Sequence, residues 1–183
     1  EDLDGLIGIM DENEYWFFNP VVALGIDGTL EFENVRPGVQ KYSSTILVTN
    51  DADIGSGVML DMFISGTDFY DSSSSGAKCP VSNVLKLNNF KYYTVNGGYS
   101  TRNDFRSDAE VYLPINYGIG FNNPNPFYNT HEILQAGPMI DPYWPANLLA
   151  PGADLAITFR LNLPEPCNGD FDTGSIFFWG EAI

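Results

Sequence analysis

Histidine, cysteine and basic side chains are scarce in this chain, and each scarcity removes a class of function. His131 is the single histidine, so a Ser-His-Asp or Cys-His nucleophilic site would have to be built on it. Glu132 stands beside it, but adjacent residues on a helix do not face each other, so the two make no ready acid–base pair. The two cysteines, Cys79 and Cys167, are far apart and lack metal-ligand spacing, and no Gly-rich phosphate loop occurs. Lys and Arg number 8 against 24 Asp and Glu, a formal charge of −16. Nucleic acid needs a basic footprint and is excluded, and an anionic membrane surface would repel the chain. Cations, cationic surfaces and other copies of the chain remain as partners, with simple solubility by self-repulsion as the plain alternative. No apolar run approaches the ~20 residues of a spanning helix, so no membrane insertion is expected. No Asn-x-Ser/Thr triplet is present, which excludes glycosylation through that motif.

What is present is sheet-forming. Of 183 residues 44% are hydrophobic and 14% aromatic, enough for one domain with a real core. Thr29–Val35 reads as a strand stopped by Pro37-Gly38, and Val21–Ile26 as another turning at Asp27-Gly28. Ser44, Ile46 and Val48 alternate with Thr45, Leu47 and Thr49. Val58, Leu60, Met62 and Ile64 alternate with Met59, Asp61, Phe63 and Ser65. A period of two marks a sheet with distinct faces. Val84–Val95 reads as a strand pair or one bulged strand, with Asn96-Gly97-Gly98 as a hairpin turn. Ala109–Tyr117 is strand-like, with Pro114 placing it at an edge or a bulge. Leu155, Ile157, Phe159, Leu161 and Leu163 form one apolar face of the clearest strand, and Ser175–Ile183 closes the chain as a strand expected to be deeply buried or to have its edge covered.

Ser72–Gly76 reads as an exposed polar loop. Residues 118–152 are rich in Asn, Pro, Gly and aromatics, and hold the one candidate helix, Thr130–Ala136, between Asn129 and Gly137. A loop this long has a job or is packed down by its own aromatics. The whole pattern predicts an all-β fold, a jelly-roll-like β-sandwich with a long irregular loop and one short helix; a closed barrel is the alternative.

The candidate sites are modest. Cys79 and Cys167 are either one disulfide in an oxidising compartment or two buried thiols. Asp51, Asp53, Asp68, Asp71, Asp170 and Asp172 sit in oxygen-rich turns of the kind that hold calcium, though Asp and Asn also simply make turns and none has EF-hand spacing. Tyr143 and Trp144 could stack on a sugar, or serve as core. Carboxylates are plentiful, but none is singled out as a glycosidase pair. Residues 1–14 form an N-terminal arm ahead of a single domain, 15–183. In the arm, Leu6, Ile7, Gly8, Ile9 and Met10 make a short apolar run between acids, suited either to the first strand of the sheet or to pairing with a neighbour's sheet edge.

The succession Tyr15-Trp16-Phe17-Phe18, Gly28-Thr29-Leu30-Glu31-Phe32, Val35-Arg36-Pro37-Gly38 and Ile46-Leu47-Val48-Thr49-Asn50 resembles secreted β-sandwich proteins of the TasA/camelysin type. Ile64-Ser65-Gly66-Thr67-Asp68 is similar to archaeal cell-surface sandwich proteins. The resemblance covers residues 15–68 and uses motifs general to β-sandwiches. It implies an extracellular, secreted jelly-roll subunit that polymerises by donating an N-terminal strand to the next subunit. The chain departs from the pattern in carrying fourteen residues ahead of the aromatic run, which makes Leu6–Met10 the candidate donated strand. The cysteines and the 118–152 loop are not part of the pattern. A chain opening at Glu1 fits a secreted protein after signal-peptide removal, and equally a trimmed one. The expected function is therefore non-enzymatic: a structural subunit of an extracellular filament, tube or sheath, with itself as partner and calcium as an optional ligand. A secreted carbohydrate-binding or adhesive module is the alternative, and a jelly-roll glycosidase ranks last.

Overall fold

A computed structural model describes residues 22–74, 76, 78–106, 111–118 and 130–183. The described chain is all-β and antiparallel in its strand pairings. The larger sheet starts at the edge with β1 (Leu24–Asp27) and continues through β2 (Gln40–Asn50), the next strand inward. A second sheet is built on β3 (Leu60–Gly66), and β4 (Phe69–Tyr70) pairs with β5 (Val84–Leu85) in a small ribbon. The larger sheet is completed by β6 (Phe90–Asn96), β7 (Tyr99–Ser100) and β8 (Leu113–Pro114). β9 (Leu148–Leu149) flanks β3 on one side, β10 (Asp154–Asn162) lies between β2 and β6, and β11 (Ile176–Ala182) flanks β3 on the other side.

The strongest alternations make the central strands. In β2, Ile46, Val48 and Asn50 are buried while Thr45 is exposed, and in β10 the odd residues Leu155 to Leu161 are buried. Between Thr158 and Arg160 the β2–β10 register slips, and the amide of Phe159 donates to Ser43 Oγ at 2.9 Å. A hydroxyl thus takes up the donor that the bulge leaves out of the ladder. Asn96 pairs with Tyr99 around Gly97, whose φ of 55° is the left-handed geometry a tight hairpin requires. Pro114 stands on β8, a two-residue strand beside β6, where a missing N–H is tolerated.

One core cluster joins residues of both sheets: Ile46, Val48, Leu155, Ile157 and Phe159 from the larger, Leu60, Met62, Ile64 and Leu149 from the smaller. Buried Asn50 latches its rim. Its Nδ2 donates to the carbonyls of Val58 (2.8 Å) and Leu149 (2.9 Å), and its Oδ1 accepts from the amide of Ala52 (3.1 Å). Cys79 and Cys167 are disulfide-bonded across 88 residues of chain.

Several elements differ from expectation. Thr29–Val35 is not a strand: Asn34 takes a φ of 53°, which breaks an extended run, although Leu30, Phe32 and Val35 still pack against the core. In the 130–136 segment only Thr130 and His131 are helical. The following amides go to distant partners: Ile133 to the Met62 carbonyl (3.0 Å), Leu134 to Asn147 Oδ1 (2.9 Å), Gln135 to Asp104 Oδ2 (2.8 Å). Those tertiary bonds outcompete a helix for the same donors. Ser72–Ser74 is a fastened turn, with Asp71 Oδ1 accepting from the amide and hydroxyl of Ser73. β3 is buried on both faces, and β11 is half-exposed along its whole length rather than deeply buried.

Candidate strand-docking groove

The two sides of the fold are closed differently. On the β6–β9 side the 130–149 segment seals it with polar bonds. Arg106 donates to both Asp104 oxygens (3.1 and 3.0 Å) and to the Ile133 carbonyl (3.0 Å), which also accepts from Tyr92 Oη (2.9 Å). Asn147 Nδ2 donates to Asp61 Oδ1 (2.8 Å) and to the Met62 carbonyl (2.7 Å), and Gln135 donates to Glu132 (2.5 Å). Burial pushes the Tyr92 phenol up to about 12. The Asp61 carboxyl is pushed up to about 7, chiefly by burial, partly opposed by the Asn147 hydrogen bond and reinforced by the charges of Glu132 and Glu181. Glu132 is raised by burial too, and the Gln135 hydrogen bond and Arg106 only partly offset it. This arrangement is a buried, hydrogen-bonded seam, and it gives the 130–149 part of the long loop a structural task.

On the β1–β11 side the core opens. Two adjoining cavities of about 770 and 350 Å³ share Leu30, Phe69 and Phe171 as common walls. The larger sheet contributes Ile26, Ile46, Phe159, Phe90 and Leu161, and β11 contributes Ile176 and Phe178. Phe69 and Phe90 pack with ring centroids 4.7 Å apart. Gly174 permits this wall: a Cβ there would lie 2.5 Å from Phe69 Cδ1. Around these walls stand Glu31, Glu33, Asp170 and Asp172, with no Lys or Arg among the described lining residues. β1 and β11 each end their sheet, so among the described residues each pairs along one side only. Such an opening sets apolar sockets beside two strands that end their sheets among the described residues.

The sequence-derived sites fare unevenly. Leu6, Ile7, Gly8, Ile9 and Met10 lie outside the described residues. The six aspartates do not gather into a cation site: among the described residues no three of His, Cys, Asp and Glu are placed to hold one metal ion. Three of them, Asp68, Asp71 and Asp172, have carboxylate oxygens bonded to protein partners. Asp68 accepts from Lys86 (2.7 Å), the Leu87 amide (2.9 Å) and Tyr117 (2.5 Å), and its carboxyl is lowered because those bonds outweigh the cost of burial. Asp71 is lowered by the Ser73 hydroxyl first, and Asp172 by that of Ser72. Asp51 lies over Gly25, and the Asp53 carbonyl accepts from the Ser56 amide (2.9 Å).

His131 is buried, with Nε2 donating to the Tyr117 carbonyl (2.9 Å) and Nδ1 paired with the Thr130 hydroxyl (2.8 Å), a structural placement. Trp144 packs on Phe105 at 5.6 Å and a 56° tilt, and Tyr143 forms a two-bond backbone bridge with Ile140. Phe69 and Phe171 were missed by sequence reasoning. Phe171 sits within Asn168–Asp172, where flanking aspartates draw attention to oxygen ligands rather than to an apolar wall.

No protein-family model and no curated protein matches the chain. Among solved structures it is similar to AvmM, described as catalysing macrocyclization in alchivemycin A biosynthesis, at a TM-score of 0.41 and 13% identity over 87% of this chain and 72% of that one. At that score the likeness defines neither a fold family nor an activity.

Proposed function

We propose that this chain is a non-enzymatic structural subunit of an extracellular filament, tube or sheath, a jelly-roll-like β-sandwich that polymerises when the arm of one copy enters the groove of the next. The observation that carries this is the opening beside the terminal strand β11, where Ile26, Ile46, Phe159, Ile176 and Phe178 line the smaller cavity and the larger, acid-rimmed one continues from it. A strand laid along β11 adds main-chain hydrogen bonds and turns alternate side chains into the core. The arm supplies Leu6, Ile7, Ile9 and Met10 for that purpose. Burying each contributes roughly 1.5–3 kcal/mol, so about 6–12 kcal/mol gross, from which the ordering and association costs are subtracted. The Cys79–Cys167 bond fits an oxidising, extracellular setting and limits internal unravelling under load.

Ile9→Asp tests the mechanism. The variant is expected to keep its disulfide and its β-type circular dichroism but to stay in the supernatant where the unmodified chain sediments as polymer. A variant that sediments equally would sink strand donation through Leu6–Met10.

A second function is favoured by one observation: Phe105 is 66% exposed and packs on half-buried Trp144. An aromatic pair with one member open to solvent suits a carbohydrate-binding or adhesive surface. Loss of glycan-array signal on Trp144→Ala, with an unchanged unfolding transition, is the expected result for that function; an unchanged array signal rules the surface out.

A further inference from the structure

The strand-donation reading leaves an electrostatic conflict, and on it this inference rests. The arm that would dock carries Glu1, Asp2, Asp4, Asp11, Glu12 and Glu14 and no basic residue. The groove that would receive it is rimmed by Glu31, Glu33, Asp170 and Asp172. Glu31, Glu33, Asp170 and Asp172 are all exposed, so their charges face an incoming strand. Lys41 reaches this rim with its amine on the Glu33 backbone carbonyl. Both bodies also belong to chains of formal charge −16. The apolar contacts favour docking at short range, while like charge opposes approach at long range.

We infer that polymerisation of this chain is gated by ionic strength, with dissolved cations acting as the switch that lets the acidic arm enter the acid-rimmed groove. At about 10 mM salt the screening length is roughly 30 Å, and at about 1 M it is roughly 3 Å. Charge effects of this kind change association rates by 10- to 1,000-fold. The sign is the diagnostic part: an interface held by complementary charges weakens as salt rises, whereas this one is expected to strengthen. Low salt would hold the subunits apart, and a saline exterior would trigger assembly without a dedicated metal site.

The test follows light scattering of the full chain, with negative-stain microscopy of the end products, at about 10 mM and about 1 M NaCl and in MgCl₂ of matched ionic strength. The comparison variant is Asp4→Asn, Asp11→Asn, Glu12→Gln, which leaves Leu6–Met10 intact. The unmodified chain is expected to assemble about tenfold faster or more in high salt, with NaCl and MgCl₂ alike at matched ionic strength. The variant is expected to assemble already in low salt and to show a much flatter dependence, which separates screening of the arm from general salting-out. Equal rates at both salt levels would overturn the inference while leaving strand donation standing. Assembly in MgCl₂ with none in NaCl would overturn it in favour of a bound divalent ion. If neither chain assembles under any condition, strand donation itself fails and takes the gate with it.

Discussion

Converting Asp61 to Asn should remove most of the dependence of stability on pH between about 4 and 7. Asp61 lies on β3, 2% exposed, with Asn147 donating to its Oδ1. Its carboxyl rises from 3.8 to about 7 in the folded chain. Between those values the folded state holds a proton that the unfolded state has released, so the stability of the fold falls as pH rises through the window and is flat above it. The shift corresponds to about 4 kcal/mol as an upper figure. Relaxation around the charge makes about 2–4 kcal/mol the working range. Glu132, raised in the same direction, contributes a smaller slope of the same sign. Asp68, Asp71 and Asp172 are lowered and act oppositely, but their stabilisation is lost only as pH falls below about 4, outside this window. Asn keeps an oxygen for the Asn147 amide and cannot ionise. Urea unfolding followed by tryptophan fluorescence at pH 4.5, 6, 7.5 and 8.5 reads the effect. Asp61→Asn is expected to equal the unmodified chain within about 1 kcal/mol at pH 4.5 and to exceed it by about 2–4 kcal/mol at pH 8.5. Parallel pH profiles for the two chains would refute the reasoning.

Asn50→Leu should cost about 3 kcal/mol, because it orphans the Val58 and Leu149 carbonyls and the Ala52 amide in a buried site; a loss under 1 kcal/mol in urea would mean water replaces the amide. Replacing both Cys79 and Cys167 by Ser should lower stability by about 2–4 kcal/mol, read as a fall in thermal midpoint, with no change expected if the unfolded chain is already constrained. Gly174→Ala should cost about 1–3 kcal/mol by pressing on the Phe69 ring and should slow assembly as the groove wall shifts; unchanged stability and assembly would show the wall can yield.

The strands that carry their own alternation were legible in the sequence. β2 and β10 each bury one face of a two-residue period, and the Asn96-Gly97 turn fixes the β6–β7 hairpin locally. Elements decided by distant partners were not. Glu132–Gln135 looks helical until Met62, Asn147 and Asp104 claim its amides from elsewhere in the fold. Thr29–Val35 has strand composition, yet Asn34 in the left-handed region ends the run, and its apolar residues become groove wall. The aspartate turns advertised a cation, while the carboxylates of Asp172, Asp71 and Asp68 are spent on Ser72, Ser73, Lys86 and Tyr117. The groove itself could not be read from any one segment, because Leu30, Phe69 and Phe171 meet only after three separate turns fold together.

Negative-stain electron microscopy of the full chain beside a chain lacking residues 1–14, both in high salt, tests strand donation most directly. Regular filaments, tubes or sheets from the full chain, with only small uniform particles from the shortened one, are expected. Equally regular polymers from the shortened chain would contradict it.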